Sequence, residues 1–426
     1  MKENFNHITK VKGKLYLPGD KSISHRAVMF SALANGKSVI NNCSASEDVE
    51  STIKCFRQLG CTISRNSNEI LVLGKGFKGF KKPERILDAG NSGTTARLIT
   101  GILSAQDFST TIVGDKSLSK RPMRRIIDPL KQMGAEISAS TQDTLPLIIK
   151  PSDLLEPIVY KLPVPSAQVK SSILFSGLHL EEATKVIENI PSRNHTENML
   201  NLPVAKDNNE TIISVSKNNY PVPQNYFIPS DISSAAFFIV LTLLLKDSNI
   251  VIKNVSLNES RTGILRVLEF MGAEFEINNV NNSANEFYGD LNIKSKNLVN
   301  VEIPETLIPN IIDEIPILSI AGIFAEGEFT IRGAKELRFK ETDRIKAMCD
   351  NFKKLGLTVE EYEDGYTVSG TIVNKDVLFE SFGDHRIAMS FAVLSLLLEN
   401  GGMVNDFDCV RISNPDFIEQ LNSIVV

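Results

Sequence analysis

Apolar helical runs recur along this chain, and each opens on a short head of polar or glycine residues. The first is GDKSISHRAVMFSALA from Gly19, followed by GNSGTTARLITGIL from Gly90 and PSAQVKSSILFSGL from Pro165. Then come PSDISSAAFFIVLTLLL from Pro229, DEIPILSIAGIFA from Asp313 and GDHRIAMSFAVLSLLL from Gly383. Their starts lie roughly 65–85 residues apart, as expected when one supersecondary unit repeats.

A second series alternates with the first. FRQLGCTIS around Gly60, LKQMGAEIS around Gly134, LEFMGAEFEI around Gly272 and FKKLGLTVEEY around Gly356 each end a helix in Leu-Gly or Met-Gly. Glycine suits the left-handed position just past a helix. Short alternating stretches such as Glu69–Leu73 and 366–368 follow and read as strands around polar turns. The predicted unit is therefore strand, polar-headed helix, strand, glycine-capped helix, strands. Six copies fit the length, three to a domain, although the copy at MLNLPVAKDNNETIISV from Met199 lacks the glycine. This pattern supports a repeated α/β architecture only, so function has to come from the heads.

Composition narrows the class. The 426 residues are 42% hydrophobic and 23% charged, with a net charge of −5. That is a globular balance and argues against a general nucleic-acid binder, which would be basic. The five cysteines form no C-x-x-C pair, as expected of thiols in a reducing compartment. The polar start MKENFNHITKVKGK lacks a signal-peptide core. The longest apolar run, 235–245, is too short to span a bilayer. The expectation is a cytoplasmic protein without membrane or nucleic-acid partners.

Against the acidic background, the cations cluster at the heads. In the first head Ser22 and Ser24 read as helix caps, and Lys21 and Arg26 add fixed charge where the helix dipole favours anions. Ser22 and Arg26, four apart, share a helix face. In the second, Asn91 and Ser92 can cap, Gly93 lets a ligand approach the backbone, and Arg97 lies one turn along. This matches neither the Walker loop nor G-x-G-x-x-G. SLSKRPMRRIIDPL holds Lys120, Arg121, Arg124 and Arg125 around Pro122, a residue acceptable at the first helical position. Such a run is usually a solvated surface; Arg121, set before the proline, is the one aimed at an anion. Ser166, Gln168 and Lys170 bring donors to the third head. Arg193, His195 and Glu197 follow in SRNHTENML, and His195 is more readily a surface histidine than a proton donor.

ELRFKETDRIKAM from Glu336 is the most loaded segment. On a helix Lys340 and Arg344 share a face with Glu341 beside them, either as a salt-bridged surface or as a carboxylate held among cations for proton transfer. Asp313 and Glu314 in the fifth head read as a second acidic site, although Asp313 alone is also a good N-cap, and Asp384 with Arg386 in the sixth adds a further cation. The set suits small, multiply anionic substrates and acid–base work, with no metal spacing and no redox cofactor implied.

GDKSISHR, GNSGTTAR, SKRPM, PSAQVKS, SRNHTENML, ELRFKETDRI and GDHRIAMSFA resemble the motifs of the 3-phosphoshikimate 1-carboxyvinyltransferase (EPSP synthase) family, in order over nearly the whole chain. The resemblance implies two similar globular α/β domains, each of three βαβαββ-type units, with the inner helices' N-termini facing an interdomain cleft that holds the active site. One domain would be 1–20 plus 228–426 and the other 21–227, with crossovers near 14–20 and 226–231. It implies enolpyruvyl transfer from phosphoenolpyruvate to the 5-hydroxyl of shikimate 3-phosphate, in the shikimate pathway to chorismate and aromatic amino acids, by a monomer without cofactor.

Residue by residue, the resemblance implies shikimate 3-phosphate on Lys21, Ser22, Arg26, Ser166, Ala167, Gln168, Arg193, Asp313 and Lys340. It puts phosphoenolpyruvate on Lys21, Gly93, Arg121, Gln168, Arg344 and Arg386. Asp313 would take the hydroxyl proton, Glu341 would manage the proton at the methylene carbon, and Lys21 joins them in the catalytic set. The chain departs from many relatives at Glu336, Ala167 and the tail, where Ile412 and Asn414 stand in place of Lys and Phe. The related UDP-N-acetylglucosamine enolpyruvyl transferase is the nearest rival; its Lys-Asn pair and loop cysteine are replaced here by Lys21-Ser22 and a cysteine-free loop, 115–121. A non-catalytic phosphometabolite binder would not need Asp313 and Glu341.

Overall fold

The computed structural model describes residues 1–66 and 69–426. The chain forms two compact units. One comprises 19–229 and 282–286, the other 1–18, 230–281 and 287–426.

The first unit carries three four-stranded sheets of one topology. A parallel pair joins an antiparallel pair: Asn225–Phe227, Lys37–Asn41, Glu69–Leu73, Thr62–Asn66 in the first sheet. Leu87–Asp88, Thr110–Val113, Leu147–Lys150, Glu136–Ser138 follow the same order, as do Val159–Lys161, Thr184–Glu188, Glu210–Val215, Val204–Asp207. Each sheet is served by two helices: α1 (Lys21–Leu33) and α2 (Glu47–Gln58), α3 (Gly93–Leu103) and α4 (Arg124–Gln132), α5 (Ala167–Gly177) and α6 (His195–Met199). The first of each pair is the polar-headed helix. These are buried almost all round, from Ile23 to Leu33 in α1, so their apolar faces run into one core. The copy without the glycine still folds as a full unit, its second helix shortened to His195–Met199.

The second unit repeats the plan with variations. Its helices are α7 (Ile232–Leu244), α8 (Gly263–Phe270), the single turn α9 (Ile308–Ile311), α10 (Ile315–Phe324), α11 (Arg344–Lys354), α12 (His385–Leu397) and α13 (Phe417–Asn422). The strand Lys12–Tyr16 pairs in parallel with Asn249–Ser256, which adds Glu286–Lys294 and then Phe275–Ser283. A three-stranded sheet orders Phe329–Ile331, Gly365–Ser369 and Thr358–Tyr362. The last sheet has Leu378–Glu380 parallel to Gly402–Asn405, and the N-terminal strand Glu3–Phe5 closes it antiparallel where a hairpin would otherwise end the unit. The polar-headed helices α7, α10 and α12 are again buried nearly throughout and share a second core.

The Leu/Met-Gly series ends its helices as expected. Gly60, Gly134, Gly272 and Gly356 take φ of +94°, +95°, +102° and +81°, a left-handed position that favours glycine. All five cysteines are free thiols, and only Cys409 is not fully buried. Among the described residues no single helix is long and apolar enough to cross a membrane; the one bent apolar pair, Glu305–Ile311 with Ile315–Phe324, ends in the buried α10.

Local readings of the heads need correction in several places. Asp20, not Ser22 or Ser24, caps α1, its carboxylate accepting the Ile23 N–H at 2.9 Å. Pro122 does not start a helix: a 3-10 turn ends at Lys120 and α4 begins at Arg124. Lys340 and Arg344 do not share a helix. Lys335–Phe339 is a 3-10 turn, Lys340 is extended, and Asp343 caps α11 through the Lys346 N–H at 3.0 Å. Asp313 is not the N-cap residue of α10: Glu314 holds that position and Pro316 sits in the first turn.

Candidate active site

In the first unit, the starts of α1, α3 and α5 assemble most of the expected binding residues. Lys21 opens α1 with its Nζ 2.9 Å from Asp48 Oδ2 on α2. Arg26 is buried, yet its nitrogens go to uncharged oxygens: Nε to Thr196 Oγ1 at 2.8 Å, Nη1 to the Ser22 carbonyl at 3.0 Å and Nη2 to Ser171 Oγ at 2.8 Å. Burial pulls its pKa down to about 10 against the pull of Glu197, Asp20 and Glu286, so it stays charged at neutral pH. His25, also buried, bonds Thr52 Oγ1 at 2.7 Å, and Thr52 bonds Thr95 Oγ1 at 2.7 Å, linking α1, α2 and α3. Burial, then Lys21 and Arg26, hold its pKa well below the usual imidazole range, so this link is neutral.

A second cluster surrounds Gly93. Ser92 caps α3 and Gly93 is its first residue. A Cβ placed on Gly93 would lie 2.9 Å from Arg97 Nη1 and 3.5 Å from Arg121 Nη1. Arg97 Nη1 donates to Gln168 Oε1 at 2.6 Å, and Gln168 Nε2 donates to Thr94 Oγ1 at 3.0 Å. Arg121 Nη2 donates to Asn91 Oδ1 at 3.1 Å. Ser166 caps α5 through the Val169 N–H at 3.4 Å, with Ala167 and Gln168 in its first turn. Arg97, Arg121 and Gln168 thus stand together as donors around the start of α3 at Gly93, a setting for an anion.

Two expectations fail nearby. Lys170 is fully buried in ion pairs: its Nζ sits 2.7 Å from Glu188 and 2.6 Å from Glu197. His195 is not a surface histidine; it is buried with Nδ1 2.9 Å from Glu286 Oε1. Arg193, between Ser192 and the start of α6, is half-buried, and its charge bears on Arg26.

In the second unit, α10, α11 and α12 bring their heads onto Asp313. Its Oδ1 lies 3.5 Å from Lys340 Nζ and 3.3 Å from Arg344 Nη1, and its Oδ2 lies 3.7 Å from Arg386 Nη2. Arg344 is buried and is held at Nε by Asp384 Oδ2 at 2.8 Å, while Nη2 meets Glu341 Oε2 at 2.7 Å. Burial works to lower its pKa, but Asp384, Glu341 and Asp313 outweigh it and hold the guanidinium more firmly charged. Asp384 is shared, since it also caps α12 through the Arg386 N–H at 2.8 Å. Two carboxylates, Asp313 and Glu341, are therefore held by cations while remaining partly exposed, at 13% and 18%. Such groups can accept or pass protons next to positive charge that binds anions.

The tail departs from the resemblance in a definite way. Ile412 ends a 3-10 turn, Phe407–Ile412, and Arg411 is exposed. Asn414 is buried and exchanges two amide hydrogen bonds with Gln420, at 2.8 Å and 3.0 Å.

The EPSP synthase (3-phosphoshikimate 1-carboxyvinyltransferase) family model matches residues 5–421. The chain belongs to the EPSP synthase family. A 3-phosphoshikimate 1-carboxyvinyltransferase of Petrotoga mobilis is 46% identical over 431 residues, covering 100% of this chain and 99% of the relative. One of Bacillus pumilus is 43% identical over 414 residues, covering 96% of each. A solved EPSP synthase from Acinetobacter baumannii is 39% identical with a TM-score of 0.88, covering 100% of this chain and 98% of that one. The enolpyruvyl transferase NikO of Streptomyces tendae, 14% identical with a TM-score of 0.76 over 99% of this chain and 96% of its own, shares the fold. Family membership favours the shikimate reading over the sugar-nucleotide rival and makes the chain a transferase of aromatic amino acid biosynthesis. Partners that sequence reasoning missed are Asp48, His25, Thr52, Glu188 and Glu286. Only Asp48 and Thr52 carried a local hint, as turns of a helix announced by Ser46.

Proposed function

We propose that the chain transfers the enolpyruvyl group of phosphoenolpyruvate to the 5-hydroxyl of shikimate 3-phosphate and releases phosphate. The observation that supports this most is the Asp313 carboxylate lying within 3.3–3.7 Å of Lys340, Arg344 and Arg386. Lys21, Ser22, Arg26, Ser166, Ala167, Gln168, Arg193, Asp313 and Lys340 hold shikimate 3-phosphate. Lys21, Gly93, Arg121, Gln168, Arg344 and Arg386 hold phosphoenolpyruvate.

The chemistry needs two proton movements. Glu341 delivers a proton to the methylene carbon of phosphoenolpyruvate, which makes the neighbouring carbon electrophilic. Asp313 takes the proton of the 5-hydroxyl as its oxygen bonds to that carbon, and a tetrahedral intermediate forms. Glu341 then recovers a proton from the new methyl group as the carbon–oxygen bond to phosphate breaks and the double bond returns. Lys21 and the arginines offset the negative charge of two anionic substrates throughout. No covalent enzyme intermediate is required. The enzyme works as a cytoplasmic monomer on small molecules, without nucleic acid, membrane or cofactor. Its two domains are the two units of the fold, 1–18 with 230–281 and 287–426, and 19–229 with 282–286.

The test is phosphate release from purified protein given both substrates, with each alone as control and UDP-N-acetylglucosamine as a parallel acceptor. Release with shikimate 3-phosphate alone among acceptors is expected. Release with the sugar nucleotide would make the rival transferase correct, and none with either would remove catalysis.

A further inference from the structure

Behind the Asp313 cluster lies a chain of buried polar groups that the proposed chemistry does not use. Arg261, in the turn before α8, is 2% exposed, and Glu314, at the head of α10, is 0% exposed. Arg261 Nη2 donates to Ser233 Oγ at 2.6 Å, and Ser233 Oγ donates to Glu314 Oε1. Arginine can only donate, so the single hydroxyl proton of Ser233 is committed to Glu314. Asp231, the cap of α7, stands 3.5 Å from the same Arg261 nitrogen. The far side of Glu314 Oε1 lies 3.6 Å from Arg386 Nη1.

Arg386 depends on this corner. Its Nη1 donates to the Asp313 carbonyl at 2.9 Å, its Nη2 lies 3.7 Å from Asp313 Oδ2, and the Glu314 carboxylate completes the set. Glu314 Oε2 is buried without a hydrogen-bond partner among the described residues. A carboxylate so placed costs stability, and an apolar side chain of similar size would cost less. Its charge acts on Arg386 beside that of the Asp313 carboxylate.

We infer that Glu314 is a positioning residue for phosphoenolpyruvate binding. Anchored through Ser233 to Arg261, it shares Arg386 with Asp313 and keeps that guanidinium from closing onto the proton acceptor. The assignment rests on the function proposed above. It differs from a purely structural role, in which Glu314 would serve only to neutralise buried Arg261.

The experiment compares wild type, Glu314→Gln and Arg261→Met/Glu314→Gln for phosphate-release kinetics and thermal midpoint. Glu314→Gln is expected to raise the KM for phosphoenolpyruvate by about five-fold or more, with kcat within about two-fold, because binding rather than chemistry loses its support. The double variant removes the Arg261 cation along with the carboxylate that reaches it through Ser233, so it is expected to keep the raised KM whatever its thermal midpoint. An unchanged KM in Glu314→Gln would overturn the assignment, and so would a double variant in which KM recovers. The double variant decides alone if Glu314→Gln does not fold. Wild-type protein that releases no phosphate would overturn the proposed function and this assignment with it, whereas active wild type with either contrary result overturns the assignment alone.

Discussion

Glu341 Oε2 meets Arg344 Nη2 at 2.7 Å, and Asp384 holds the same guanidinium at Nε at 2.8 Å. Arg344 is therefore anchored from behind, and Glu341, at 18% exposed, can turn toward a ligand without leaving a buried charge unpaired. Glu341→Gln keeps the shape and removes the exchangeable acid. We expect turnover to fall by about 100-fold or more with the thermal midpoint nearly unchanged. Phosphate release under saturating substrates checks it, and near-normal turnover would remove Glu341 from the mechanism.

Asp313 plays a different part, because it faces Lys340, Arg344 and Arg386 rather than one partner. Asp313→Ala frees those cations from a competing anion. Turnover is expected to drop by about 100-fold or more while phosphoenolpyruvate affinity holds or improves. Equilibrium binding measured beside turnover separates the two effects, and an unaffected rate would exclude Asp313 as the proton acceptor.

Gly93 is small for a geometric reason. An added Cβ meets the far end of Arg97 at 2.9 Å and Arg121 at 3.5 Å, with no backbone among its nearest contacts. Gly93→Ala should therefore fold normally, displace the Arg97 guanidinium from Gln168 and raise the KM for phosphoenolpyruvate more than it lowers kcat. Equal KM values for variant and wild type would show that the arginines shift without consequence.

The repeat itself was legible because both of its signals are local. Polar heads before apolar runs and Leu/Met-Gly at helix ends are read within a few residues; the heads mark a helix in each of the six units and the glycines end a helix in four of them. Caps were less legible, since Asp20 and Ser22 are both good cap residues and only the geometry of the turn selects Asp20. The Glu336 segment misled because its charge spacing mimics a helix, although Asp343 before an apolar run was a readable start signal. Lys170 and His195 were misjudged for a deeper reason. Their partners, Glu188, Glu197 and Glu286, reach them through the tertiary fold, and a buried ion pair has no periodicity.

That buried set makes its own prediction. Lys170 is enclosed with Glu188 at 2.7 Å and Glu197 at 2.6 Å. Lys170→Met leaves two carboxylates facing each other, at a cost of about 3–5 kcal/mol. Urea unfolding should show that loss, and Lys170→Met/Glu188→Gln/Glu197→Gln should regain much of it. A single variant as stable as wild type would mean that the pairing contributes little.

Acid should weaken the fold through its neutral histidines. His179 packs against Phe77 and Tyr220, with ring centroids at 5.6 Å and 5.5 Å, and accepts no proton easily there. Burial lowers its pKa from 6.5 to about 4, with Lys78 adding to the effect and hydrogen bonds to Phe175 and Ser176 opposing it. Between those values the unfolded chain binds a proton that the folded chain refuses, so stability falls as pH drops below 6.5. From pH 7 to pH 5 the loss from this residue is roughly 2 kcal/mol, and His25, lowered in the same direction, adds to it. His179→Gln removes one titration without touching the proposed site. Its thermal midpoint should fall less than that of wild type between pH 7 and pH 5, and equal falls would show that His179 is protonated in the folded protein.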